Sequence, residues 1–170
     1  MTVEELNRLP EPAARAAFAR CCGTAAWVGR MCAARPFRDR AAILEEAERA
    51  WSGLDASGRR EAFTHHPRIG EIAALREKFV TTAKWASDEQ RGAAMASEAT
   101  LAALADRNRA YESRFGYIFI VCATGKSAEE MLALLEARMG NDPDTELEIA
   151  AGEQMKITRL RIEKLVEESR

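Results

Sequence analysis

Few residues in this chain can move a proton near neutral pH. Its only two histidines stand side by side in Thr64-His65-His66-Pro67-Arg68-Ile69-Gly70. Proline fixes its own φ and biases the preceding residue away from the α region, so a helix is predicted to end at His66. Gly70 permits a tight turn where the chain resumes. An imidazole on such a constrained segment between helices suits a general acid–base, because histidine titrates near neutrality without special tuning. A His-Pro pair also serves as an ordinary turn. A metal site is a poor fit: adjacent histidines point about 100° apart on a helix and to opposite faces of a strand. The sequence has no His-Glu-x-x-His pattern, and no nearby Cys or His completes a ligand set.

Three further stretches carry polar chemistry. In Lys84-Trp85-Ala86-Ser87-Asp88-Glu89-Gln90, Ser87 or Asp88 can cap a following helix, which puts Glu89 and Gln90 in its first turn. The helix dipole favours a carboxylate there, so Glu89 is open to a structural as well as a chemical reading. Arg159 falls at the edge of an apolar stripe on the last helix, where it can project into a pocket or snorkel to solvent. Gly125-Lys126-Ser127 invites a phosphate-binding reading. A P-loop needs another glycine five residues earlier, and that position is Ile120. Ser127 with Glu130 reads better as a capping box.

The elements that must position these residues are helical. The 170 residues fit one domain, a hydrophobic fraction of 47% supports a substantial core, and scarce Gly and Pro with abundant Ala favour helices. Thr2 with Glu5 opens a short helix that stops before Pro10. Residues 11–22 and 24–34 follow, the second with Ala26, Trp27, Met31 and Ala34 at helical spacing. Asp39 caps a helix carrying Ala42, Ile43, Ala47, Ala50 and Trp51, closed by Gly53. Asp55 opens another, to Phe63. Residues 71–79 are expected to add one or two helical turns. The longest helix is expected from about Asp88 to Arg114, with Met95, Ala99, Ala102, Leu104 and Ala105 on its apolar side. Tyr117 to Cys122 is the one strand-like run. With no second strand to pair with, it reads as a buried extended or distorted helical segment. A helix through Met139, a turn at Gly140-Asn141-Asp142-Pro143-Asp144, and a last helix from about Thr145 to Glu168 complete the chain. That helix carries Leu147, Ala151, Met155, Ile162 and Leu165 as its stripe. The expected fold is all-α: one domain over 1–170, a single compact bundle of roughly eight helices.

Composition excludes some functions. A net charge of −2 provides no basic field for nucleic acid. No apolar run approaches membrane length, and the polar, acidic start is unlike a signal peptide. Cys21, Cys22, Cys32 and Cys122 form no Cys-x-x-Cys pair and read as free thiols of a reducing cytosol, so the expected location is cytoplasmic.

Together these residues resemble the family of 2-oxo-4-hydroxy-4-carboxy-5-ureidoimidazoline (OHCU) decarboxylases of urate degradation, whose members give (S)-allantoin. The resemblance rests on Leu6-Asn7, Arg35-Pro36-Phe37, His66-Pro67 with Ile69-Gly70, Trp85 with Glu89-Gln90, and Arg114-Phe115-Gly116-Tyr117 with Phe119-Ile120-Val121. Asn141, Glu148, Glu153, Ile157 and Arg159-Leu160 complete it, so it covers nearly the whole chain. It implies that His66 is the catalytic histidine and Pro67 shapes the pocket wall. Glu89 becomes the second catalytic or orienting group. Gln90 bonds ureido or ring amides, Arg159 binds ring or carboxylate oxygens, and the backbone of Ile118, Phe119 and Ile120 hydrogen-bonds the ligand. Many members have serine directly after the tryptophan. Here that position is Ala86: either Ser87, one place later, supplies the hydroxyl through a small backbone shift, or the contact is absent. The resemblance further implies a homodimer and a reaction without metal or organic cofactor, since the substrate holds its own electron sink. The rival readings are a non-catalytic helical binding module, a metal-dependent hydrolase using His65 and His66, and a nucleotide-binding protein built on Gly125-Lys126-Ser127.

Overall fold

The computed structural model describes residues 1–66 and 98–166. Among them are eight α-helices: α1 Val3–Arg8, α2 Glu11–Cys21, α3 Ala25–Ala33, α4 Arg40–Ser52, α5 Ala56–Thr64, α6 Glu98–Phe115, α7 Ala128–Arg138 and α8 Pro143–Leu165. The architecture is all-α, as the composition predicts. The chain groups into two compact units, Met1–His66 with Ala151–Arg170, and Pro67–Ala150.

In the first unit, local sequence sets the helix ends. Thr2 and Glu5 form the reciprocal capping box of α1, Asp39 accepts from Ala42 N–H to start α4, and Asp55 accepts from Gly58 N–H to start α5. Each satisfies an amide that the first helical turn leaves without a partner. α3 has no such side chain at its own N-cap. Its start is held by Glu61 of α5, which accepts from Thr24 Oγ1 at 2.9 Å and from Ala25 N–H at 3.1 Å. These two donors hold the Glu61 carboxyl below the usual carboxylate range.

The core of this unit is aromatic. Phe18 meets Trp27 and Phe37 edge to face at 6.1 and 6.2 Å between centroids, a favourable ring geometry. Trp27 Nε1–H donates to the Ala47 carbonyl at 3.0 Å. The stripe on α3 is Trp27, Val28, Met31 and Cys32, and Ala26 faces solvent. Two of the sequence pieces noted above clasp one another: Asn7 exchanges two 2.8 Å hydrogen bonds with the Phe37 backbone. Arg35 Nη1 donates to the Leu6 and Leu9 carbonyls at the end of α1.

In the second unit, α6 buries Leu101, Leu104, Ala105, Tyr111 and Phe115, whereas Ala99 is exposed. Tyr117 to Cys122 has no regular secondary structure, and Tyr117, Phe119, Ile120 and Val121 are buried, as expected for an unpaired apolar run. Ser127 and Glu130 form the capping box of α7. Lys126 Nζ donates to the Cys122 carbonyl at 2.8 Å, so the Gly-Lys-Ser triplet is spent on a turn and a cap.

α8 begins two residues earlier than predicted. Pro143 takes the first helical position, where its missing N–H costs nothing, and Asp142 accepts from Asp144 N–H, Thr145 N–H and the Thr145 hydroxyl. Its buried stripe is Leu147, Ala150, Ala151, Gln154, Thr158, Ile162 and Val166, with Met155 and Leu165 only half-buried. The predicted start of α6 at Asp88, its residue Met95 and the turns over 71–79 lie outside the described residues.

Candidate active site

His66 follows α5, and the end of that helix is over-determined. The Thr64 hydroxyl donates back to the Glu61 carbonyl at 2.7 Å, His65 N–H to Ala62 O at 3.3 Å and His66 N–H to Phe63 O at 3.2 Å. The His65 ring lies directly on Gly23. A Cβ built there would overlap the imidazole, so Gly23 is the residue that admits this close approach. Glu61, Phe63 and Gly23 thereby fix the two histidines on the body of the first unit.

The His66 side chain is half-buried, and its Nε2 lies 2.6 Å from Gln154 Oε1 on α8. Gln154 Nε2–H donates to Thr158 Oγ1 at 3.1 Å, and both residues are 1% exposed. Buried polar side chains must be hydrogen-bonded to be tolerated. Here the two are satisfied by each other and by His66. Sequence reasoning passed over this pair. The available signal was a glutamine and a threonine four residues apart within an apolar helical stripe.

Arg159, on the same helix, is 47% exposed and ion-paired with Glu48 of α4, itself 49% exposed. The solvent-facing alternative for Arg159 therefore describes its placement here, and a ligand it bound would exchange with Glu48.

The second unit holds Ile118, Phe119 and Ile120. Their segment is anchored from below by a buried polar cluster. Arg138 Nη1 donates to the Ile120 carbonyl at 2.8 Å, and its Nε and Nη2 reach Glu146 Oε1 at 2.7 and 2.5 Å. Glu146, 0% exposed, also accepts from Tyr111 Oη and from Asn141 Nδ2 at 2.7 Å. The Arg138 guanidinium lies 4.6 Å from the Phe119 ring centroid, a cation–π contact. Burial first, then the hydrogen bond to Glu146, pushes the Tyr111 phenol well above its usual range, so it stays a donor. The Ile120 carbonyl is thus already an acceptor; its second lone pair is what it can offer a ligand.

Of the other candidates, Pro67, Ser87, Glu89 and Gln90 lie outside the described residues. Among the described residues, no three His, Cys, Asp or Glu side chains are grouped as metal ligands would be, and no helix is long and apolar enough to cross a membrane. Cys21, Cys22 and Cys32 are buried free thiols and Cys122 a half-buried one.

Comparison with known proteins gives a consistent answer. The "Uric acid degradation bifunctional protein TTL" of Arabidopsis thaliana is 37% identical over 145 residues, 85% of this chain and 45% of that protein. The chain therefore spans less than half the length of that relative. The "2-oxo-4-hydroxy-4-carboxy-5-ureidoimidazoline decarboxylase" of Amia calva is 27% identical over 143 residues, 84% of this chain and 78% of that one. A crystal structure described as OHCU decarboxylase in the presence of (S)-allantoin matches with a TM-score of 0.72 and 36% identity, covering 87% of this chain and 95% of that chain. The family model for OHCU decarboxylase matches residues 7–163, and the chain belongs to that family.

Proposed function

We propose that this chain is a cofactor-independent carboxy-lyase that converts OHCU to (S)-allantoin and CO2 in urate catabolism. The observation that carries the reading is the family match over residues 7–163, with the sequence's His66-Pro67 at the point where α5 ends. An imidazole held on a constrained segment just past a helix end supports the reading of His66 as the general base.

The chemistry needs no external electron sink. As the C4–carboxylate bond breaks, its electron pair moves toward the C5=N imine, whose nitrogen takes a proton. The C4 hydroxyl then gives up its proton as the carbonyl forms, and C5 receives one. One proton leaves oxygen, two arrive at nitrogen and carbon, and solvent supplies the difference. His66 takes the hydroxyl proton. Glu89 orients His66 or repels the departing carboxylate, while Arg159, Gln90 and the Ile118–Ile120 backbone hold the ring and ureido group. Pro67 shapes the wall, and Ser87 supplies the hydroxyl that Ala86 lacks. Fixing a planar substrate in this way makes protonation of C5 one-sided.

The family resemblance supports a homodimer and a single catalytic domain, and the buried free thiols fit a reducing cytoplasm. Neither nucleic acid nor a membrane enters this reading. The test is circular dichroism of allantoin forming from fresh OHCU. Spontaneous decay gives racemic product, so a rapid single-handed signal that chelator leaves unchanged supports a cofactor-free decarboxylase. A trace no different from the blank would sink the reading in favour of a binding module.

A further inference from the structure

We propose that Arg138, steered by Glu146, is a positioning residue: it holds the Ile118–Ile120 backbone in the orientation that receives the substrate. The inference rests on the reading of that backbone as part of the substrate site. It adds the side chain that sets the geometry of the segment, and with it KM.

The segment cannot orient itself. Tyr117 to Cys122 has no regular secondary structure, so no helical or sheet ladder fixes its peptide planes. Among the described residues, one hydrogen bond reaches the Ile118–Val121 backbone: Arg138 Nη1 donates to the Ile120 carbonyl at 2.8 Å. The same guanidinium lies 4.6 Å from the centroid of the Phe119 ring. One side chain of α7 therefore holds two consecutive residues, one by its backbone and one by its ring. A binding group has to be kept within about 0.5 Å of its productive position, so the group that holds this carbonyl governs what the segment can bind.

Glu146 gives Arg138 its aim. A guanidinium is planar and presents its donors in a fixed fork. Its Nε and Nη2 are spent on Glu146 Oε1, at 2.7 and 2.5 Å. With those two nitrogens tied, the plane is set, and the remaining nitrogen, Nη1, meets Ile120 O. The carboxylate is itself fixed, by Asn141 Nδ2 at 2.7 Å and by the Tyr111 hydroxyl. Arg138 is 8% exposed and Glu146 0%, so water does not compete for these bonds. All of these residues belong to the second unit. A lysine at position 138 would bring the charge without the fork.

The test separates positioning from stability. The double variant R138M/E146L replaces the ion pair with apolar groups and is expected to keep the fold. It should melt near the parent, yet KM for OHCU should rise about 10-fold with kcat little changed, the weight of about one well-made hydrogen bond to substrate. Tyr111→Phe does the reverse: it removes a bond to the carboxylate but leaves Arg138 on Ile120, so Tm should fall while KM holds. A parent-like KM in R138M/E146L, or a KM that simply follows Tm across these proteins, overturns the inference. Arg138→Lys is a second route to the raised KM, and a parent-like value there overturns it as well. In the substrate-free protein, 15N relaxation should give lower order parameters over Phe119–Val121 in the double variant, with α6 and α7 unchanged; no difference from the parent overturns the inference. That readout does not depend on turnover, so it distinguishes failure of the positioning role from failure of the decarboxylase reading.

Discussion

Replacing Arg138 with methionine isolates the cluster beneath Ile118–Ile120. The substitution conserves the aliphatic stem and deletes the guanidinium. Glu146, 0% exposed, would retain Tyr111 and Asn141 but lose its only cationic partner within the cluster. Leaving one member of a buried ion pair behind costs about 3–5 kcal/mol. The Ile120 carbonyl also loses its donor, and Phe119 its cation–π contact, which places the expected loss in the upper half of that range. For a chain of this size each kcal/mol moves Tm by about 2–4 °C, so R138M should melt about 10 °C or more below the parent. Methionine at 138 with leucine at 146 removes both charges and should recover much of the loss, because an apolar replacement of the whole pair is often close to neutral. Urea titrations of the parent, both single variants and the double variant close the cycle. A double variant as unstable as the sum of the singles would refute the reasoning, since it would show no coupling between Arg138 and Glu146.

Three other outcomes follow from the described contacts. His66→Ala and His66→Asn should keep the fold and lose most single-handed allantoin formation, and activity near the parent's in both would remove His66 from the mechanism. Burial raises the Cys21 and Cys22 thiols from 9.0 to about 11. A folded value above the unfolded one means that their contribution is complete below about pH 9 and is withdrawn as pH climbs towards 11, up to about 3 kcal/mol per thiol. Cys21→Ala should therefore flatten the decline in stability between those pH values, as chemical denaturation at stepped pH would show. Glu48→Ala frees Arg159 from an exposed pair worth at most about 1 kcal/mol. Tm should hold within about 3 °C while KM for OHCU falls, and a rise in KM would count against Arg159 as a ligand of the substrate.

What was readable in the chain was mostly local. Asp39, Asp55 and the Ser127–Glu130 box each act within three residues, so their types alone announce the helix starts. The break at His66 was legible because proline acts on its immediate neighbour. The misplaced start of α8 was a local error of weighting: Pro143 looked like part of a turn but serves as a first helical residue. Long-range pairing was opaque. Arg138 and Glu146 carry charges that ordinarily face water, and only the fold brings them under Ile120. Met155 was put in the core stripe in place of Gln154 because hydrophobicity outranks a glutamine whose partners lie 88 residues back and four residues ahead. Glu61 as the cap of α3 was hidden for the same reason, its donors lying on another helix.

The close seat of His65 on Gly23 bears on how this protein would score in saturation mutagenesis. Any side chain at position 23 intrudes on that imidazole, so substitutions there should displace the segment carrying His66 and silence turnover. A screen that counts only product would then rank Gly23 with the chemical groups, although glycine has none to contribute. Pairing the screen with a measure of protein abundance would sort these positions: Gly23 variants should lose soluble protein and product together, whereas His66 variants should lose product alone.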